Sequence, residues 1–251
     1  MPRSTRPTVV LVHGAFADAS SYARVIPELI AAGLEVVAPA VPNRGLVDDA
    51  AYIASVIRAI DGPVILVGHS YGGAVITLAG AEDNVRALVY LAGYALEEGE
   101  SLGELQGRFP DSGLAEALVF TPFPVADSAG TAAATGTAAA TGTDVSVAVD
   151  RFPALFAADV DPGLAAVLAV SQRPLAARAF TEAAPVAAWR SKPSWGLVAT
   201  DDRTINPDVE RFGYRRAGMT TVEVDSSHLV MLARPEAVAE LIQEAVRSTA
   251  R

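Results

Sequence analysis

A chain of 251 residues, 51% hydrophobic and 19% charged, has the length of one domain and enough apolar material for a large core, which excludes global disorder. Lys and Arg number 19 against 29 Asp and Glu, and a formal charge of −10 argues against a nucleic-acid binder, whose phosphate contacts need concentrated positive charge. The absence of cysteine removes disulfides, thiolate nucleophiles and cysteine metal sites, and is compatible with a reducing cytosol.

Thr8–Val12 reads as a buried strand that runs straight into His13-Gly14. The stretch before it is too short and too polar for a signal peptide, and no apolar run in the chain reaches bilayer length. A soluble, cytoplasmic protein without membrane insertion is expected. Ser20–Ala31 has the spacing of a helix, with Gly33 as its terminator, and Glu35–Ala40 reads as the next strand. A helix over Leu46–Ile60 ends at the turn Asp61-Gly62-Pro63. Val64–Val67 is a strand, Gly73–Ala81 a helix and Val85–Leu91 a strand. This alternation predicts an α/β fold with a mainly parallel sheet and helices on both faces.

The rhythm breaks after residue 94. Arg108–Ser112, Phe120–Asp127 and Pro185–Pro193 are rich in turn formers or prolines, with helices expected at Leu164–Val170 and Leu175–Ala183. Residues 95–193 therefore read as an inserted cap of helices and loops between core segments 1–94 and 194–251. Within it, the imperfect Ala-Thr-Gly repeat of Ser128–Asp144 has no large side chain to anchor it and reads as a mobile surface loop. The core pattern resumes with strand Trp195–Thr200, helix Asp208–Ala217, strand Thr220–Val224 and helix Pro235–Val246.

The chemistry concentrates at Gly68-His69-Ser70-Tyr71-Gly72-Gly73, directly after a strand and before a helix. This is the G-x-S-x-G nucleophile elbow in its required context. Ser70 occupies a sharp bend, Gly68 and Gly72 admit close backbone, and Gly73 opens the helix whose positive end faces developing charge. A serine needs a base, and the chain offers three histidines. His13 and His69 lie in loops they are expected to support by hydrogen bonding. His228, after the late strand, is the candidate base. The orienting acid is Asp202, with Asp201 as the alternative, since both end a strand at the active side of the sheet. An oxyanion hole needs two donors: the N–H of Tyr71, and one from the first loop, Ala15 or Phe16. Metal-site, dinucleotide and P-loop spacings are missing, so no cofactor and no metal are called for.

Leu11-Val12-His13-Gly14-Ala15-Phe16, the elbow, Thr200–Ile205 and Ser227-His228 together resemble the α/β-hydrolase superfamily over nearly the whole chain. More narrowly, the chain is similar to the small esterases grouped with plant methyl esterases and hydroxynitrile lyases. The resemblance implies an α/β-hydrolase fold with a helical cap inserted between the usual sixth and seventh strands, and a chain that starts at the usual third strand. It favours Asp202, with Ile205 following at the family's spacing, and Ala15 as first-loop donor. The lyases carry a lysine after the histidine and a threonine after the first-loop histidine; Leu229 and Gly14 stand there instead, which favours hydrolysis. Similar cofactor-free haloperoxidases use the same triad, so perhydrolysis is a conceivable side reaction.

The expected function is a serine carboxylesterase acting through an acyl-enzyme on a small-molecule ester or related acyl substrate. An amidase, lactonase or C–C bond hydrolase on the same triad is the second catalytic reading, and a non-catalytic hydrolase-like sensor or interaction protein the third. Phe109, Phe120, Phe123, Phe152, Phe156 and Trp189 are candidate pocket aromatics in the cap. Homo-oligomerisation is not legible in the sequence.

Overall fold

The computed structural model describes residues 6–125 and 141–249. Its centre is a parallel sheet of β1 (Thr8–Val12), β2 (Glu35–Val37), β3 (Val64–His69), β4 (Val85–Leu91), β8 (Ser194–Ala199) and β9 (Thr220–Val224), in the order β2-β1-β3-β4-β8-β9. Every pairing in it is parallel. β1 and β3 are buried at every position, which explains their uninterrupted Val, Ile and Leu runs: helices cover both faces. The short strands β2 and β9 are more exposed and form the edges.

After β1 the chain moves outward to β2, then returns to the other side of β1 for β3. The strand order therefore reverses between β1 and β3. Loops leaving the carboxyl ends of those two strands diverge and open a crevice, the usual binding position in an open α/β sheet. His13–Phe16 leaves one strand there and Ser70 the other.

Local chemistry trims several expected elements. The helix expected over Ser20–Ala31 is split into a 3₁₀ turn at Ala19–Tyr22, capped by the Asp18 side chain, and α1 (Val25–Ala31). Pro27 is the reason: it has no N–H for a helix running through it, but fits the first turn of one that starts at Val25. β2 stops at Val37, short of Ala38-Pro39-Ala40. α2 (Leu46–Arg58) falls where the spacing places it, as do helices Pro207–Arg216 and Pro235–Thr249, whereas α3 (Tyr71–Ala79) begins and ends two residues before the expected Gly73–Ala81 because it starts directly from the Ser70 bend.

The insertion between β4 and β8 corrects the expectation of helices and loops alone. It contains an antiparallel sheet, β5 (Leu118–Pro124), β6 (Thr141–Val147) and β7 (Leu175–Ala176), in that order. Pro122 and Pro124 sit in β5, which lies at the edge of this sheet, where a missing N–H is tolerated. Leu175 and Ala176, expected to begin a helix, instead pair with Val145 and Asp144, and a 3₁₀ turn at Ala177–Phe180 follows. Of the repeat Ser128–Asp144, residues 128–140 lie outside the described residues, whereas Thr141–Asp144 belong to β6. Pro162–Val170 is helical as expected. Among the described residues no helix is long and apolar enough to cross a membrane.

Candidate active site

Ser70 stands at φ 54° and ψ −122°, a conformation that side chains rarely adopt. The bend is held by Ser70 N–H to Leu91 O at 3.1 Å, and by Gly73 and Tyr94 N–H to Ser70 O at 2.9 and 3.3 Å. The glycines are required by close approach. A Cβ on Gly68 would lie 2.4 Å from Gly72 O, and one on Gly72 would lie 2.3 Å from Val12 O. One on Gly14 would lie 2.8 Å from Ser70 Cβ, so the first loop passes directly against the elbow. α3 is buried throughout and begins at Tyr71, placing its amino end beside Ser70.

His228 follows β9 by a short loop and is wholly buried. Its Nδ1–H donates to Asp202 Oδ2 at 2.6 Å. Asp202 Oδ1 accepts the N–H groups of Thr204 and Ile205 at 2.7 and 3.0 Å, which fixes the carboxylate's orientation. Asp201 is exposed and pairs its carboxyl with Asp225, which holds it above the ordinary carboxylate range. Asp202, not Asp201, thus carries the bond to His228.

With Nδ1 committed, His228 Nε2 is the free ring nitrogen. It is buried and has no hydrogen-bond partner among the described residues. The ring lies 4.6 Å from that of His69, the residue before Ser70, and Phe156 meets it edge-on at 4.8 Å. The Ser70 hydroxyl, 5% exposed, makes no hydrogen bond to Nε2 in this conformation. Among the described residues no hydrogen bond joins the two groups.

The other histidines support loops. His13 Nδ1–H donates to Gly14 O and its Nε2 accepts Val41 N–H, both at 2.9 Å. His69 Nε2–H donates to His228 O at 2.9 Å. Burial holds both imidazoles below the ordinary histidine range, His69 well below it, with the neighbouring His228 adding to the effect there.

Of the two expected first-loop donors, Phe16 N–H is already bonded to Arg173 O at 3.0 Å. Ala15 N–H and Tyr71 N–H have no such backbone bond among the described residues, which leaves them as the candidate pair. The candidate aromatics separate by contact. Phe156 touches His228 and stacks on Phe152 at 4.8 Å, with Phe16 edge-on to it. Trp189 spends its Nε1–H on Leu96 O and is packing. Phe120 is 61% exposed, and Phe123 lies under the Arg44 guanidinium. Phe109 lines an apolar cleft of about 280 Å³ with Leu102, Gln106, Leu118 and Phe180. Tyr94, whose N–H holds Ser70 O, hydrogen-bonds Gln106 of that cleft.

Several residues were not foreseen. Asp159, in the insertion, accepts from Ser227 N–H and Oγ and clamps the His228 loop. Asp49 accepts the Tyr71 hydroxyl at 2.6 Å from α2. Glu210 lies buried on the inner face of its helix with Val209, Gly213 and Tyr214. A charged residue on an apolar helix face is a signal that periodicity alone contains; the Asp159 and Asp49 contacts depend on tertiary packing and have none.

The profile of the alpha/beta hydrolase family matches residues 9–241. A Phoma protein named "Probable hydrolase R7" is 32% identical over 119 residues, covering 41% of this chain and 49% of that protein. The carbendazim hydrolyzing esterase of a Nocardioides species is 38% identical over 109 residues, covering 37% of this chain and 44% of that protein. The chain spans about half the length of the curated relatives it matches. The crystal structure of polyneuridine aldehyde esterase superposes with a TM-score of 0.78 at 17% identity, over 95% of this chain and 98% of that one, a likeness of fold. With parallel sheet, elbow and family profile in agreement over nearly its full length, the chain belongs to the alpha/beta hydrolase family.

Proposed function

We propose that this protein is a serine hydrolase that cleaves small carboxylic esters through an acyl-enzyme, with Ser70 as nucleophile, His228 as base and Asp202 as orienting acid. The observation that carries this reading is the orphaned Nε2 of His228. Its other nitrogen is locked to Asp202, and Nε2 is buried without a partner among the described residues, on a ring that meets the ring of His69 next to the strained Ser70.

In the proposed reaction the Ser70 hydroxyl rotates toward Nε2 and attacks the ester carbonyl while its proton passes to His228. The tetrahedral oxyanion is met by Ala15 and Tyr71 N–H and by the amino end of α3. The imidazolium, held by Asp202, gives its proton to the departing alcohol. Water then enters, loses a proton to His228 and attacks the acyl carbonyl; as the ester bond to Ser70 breaks, the imidazolium returns that proton to Ser70 Oγ, releasing the acid and restoring the hydroxyl and the neutral base. Phe156, Phe16 and Phe152 give the base an apolar wall, and segment 95–193 acts as the cap that excludes water from the step. The ester-cleaving names of the carbendazim and polyneuridine aldehyde esterases agree with this substrate class.

Hydrolysis of short aryl and alkyl esters by the wild type and by Ser70→Ala tests the proposal. Turnover should drop about a thousandfold or more in the variant. Equal rates in both would overturn the assignment of Ser70, and faster turnover of matched amides or lactones would overturn the choice of esters.

A further inference from the structure

The helix Phe152–Phe156 of the insertion is only five residues long, so the carbonyls of its last turn lack partners within it. Two of them are taken by loops of the core. Leu155 O accepts the Thr204 hydroxyl at 3.0 Å, and Thr204 N–H in turn holds Asp202 Oδ1 at 2.7 Å. Phe156 O accepts Leu229 N–H at 3.0 Å. Just beyond the helix, Asp159 Oδ2 accepts Ser227 N–H at 3.1 Å. Asp159 Oδ1 accepts the Ser227 hydroxyl, which has Phe156 O at 3.4 Å as a longer alternative.

His228 is thereby bracketed. The residues on either side of it, Ser227 and Leu229, are both fastened to the short stretch 156–159, and the Phe156 ring meets its imidazole edge-on. From the core, the loop receives His69 Nε2–H on His228 O and Asp201 N–H on Ser226 O, at 2.9 and 3.1 Å. β9 ends at Val224, and its pairing with β8 ends there too, so no ladder bond of the sheet reaches the base. A base works only when held to within about 0.5 Å of its productive place. Here that hold is shared with a segment outside the sheet. Besides Ser227, Asp159 faces Arg234, whose guanidinium is 44% exposed and 3.7 Å away, an ion pair of little weight.

We propose that Asp159 is a positioning residue: through Ser227 it fixes the backbone on which His228 stands, so that the insertion, and not the sheet alone, sets where the base meets Ser70. This inference rests on the reading of His228 as the base. Ser227 gives both of its donors to one carboxylate, and hydrogen bonds to a charged acceptor are the stronger class. Without that carboxylate the Ser227 N–H, in a residue 2% exposed, has no acceptor, and the loop must shift to find one.

The test uses the full chain. Asp159→Ala should lower kcat for ester hydrolysis about tenfold with KM within about twofold, since the base is misplaced while the substrate site is not. A lower thermal midpoint with kcat of the folded protein unchanged would mean a merely structural role and would overturn the proposal. Ser227→Ala added to Asp159→Ala should cost no more than about another twofold, because the two residues act through each other; losses that multiply would overturn it. Arg234→Gln should keep kcat within about twofold, and a loss equal to that of Asp159→Ala would transfer the role to the ion pair and overturn it. In ¹⁵N-histidine-labelled protein, the Nδ1–H signal lost in His228→Ala reads the base without any turnover. Its exchange with solvent should quicken about tenfold in Asp159→Ala, and unchanged exchange would contradict the clamp. If the alanine variant does not fold, Asp159→Asn, which keeps one acceptor oxygen, decides: kcat should fall about threefold with faster exchange, and wild-type values of both would overturn the proposal. If the wild type hydrolyses no ester, the functional reading fails while the exchange rates still decide whether Asp159 holds His228.

Discussion

His69 Nε2–H donates to the carbonyl oxygen of His228 across 2.9 Å, and both residues are wholly buried. One bond thus ties the elbow to the loop that carries the proposed base. The imidazole donating it is kept neutral by burial, with its basicity held well below the ordinary histidine range, and His13 is shifted in the same direction. An unfolded histidine takes up a proton near pH 6.5, whereas the folded one does not, so this term costs stability as pH falls below about 6.5. His69→Gln should be less stable than the wild type at pH 8, since it strains a buried bond worth about 1 kcal/mol. The gap should narrow as pH falls from about 7 to 5. Thermal midpoints of both proteins across that range read the effect, and parallel curves would contradict it.

The Asp49 carboxylate accepts Tyr71 OH at 2.6 Å and Arg44 N–H at 3.0 Å, so α2 steadies the residue whose N–H is the proposed oxyanion donor. Asp49→Ala should cost about 1–3 kcal/mol by leaving buried donors unpaired. It should also lower kcat more than it changes KM. Burial raises the Asp49 carboxyl above its ordinary range despite the Tyr71 bond. The unfolded chain releases that proton first, so this term costs stability as pH rises above about 4. Asp49→Asn removes the term, and its midpoint relative to wild type should improve as pH rises. A relative midpoint that worsens with pH would contradict the sign.

Gly14→Ala brings a methyl within 2.8 Å of Ser70 Cβ, and Gly72→Ala brings one within 2.3 Å of Val12 O. The first clash involves side-chain atoms at the reacting centre, the second involves two fixed backbones. Gly14→Ala should therefore fold and lose most of its turnover. Gly72→Ala should lose stability, by about 1–3 kcal/mol or more. Thermal midpoints and ester turnover, measured together on the two variants, separate the effects.

The core strands and the elbow were legible in sequence because they rest on local rules. Val64–Val67 followed by Gly68-His69-Ser70 is a buried run meeting a steric requirement, and both survive in β3 and its turn. The preference for Asp202 over Asp201 leaned on the family resemblance, with Ile205 at its spacing, and it is the Asp202 carboxylate that His228 Nδ1–H reaches. The insertion was not legible. Leu118–Pro124 carries two prolines that read as turns, and only its pairing with Thr141–Val147 at a sheet edge makes it a strand. Asp159 reaches Ser227 across 68 residues, a distance no short-range pattern encodes. Phe16 N–H is likewise bonded to Arg173 O and so withdrawn from the proposed oxyanion pair, by a partner visible only in three dimensions.

Covalent trapping of Ser70 is the most direct test of the account. After incubation with an aryl phosphonate, peptide mass spectrometry should place one adduct on Ser70, with loss of ester turnover in step with labelling. His228→Ala should slow that labelling about a hundredfold or more. Stoichiometric labelling elsewhere, or full ester turnover by protein fully labelled at Ser70, would contradict the claim that this hydroxyl attacks the substrate.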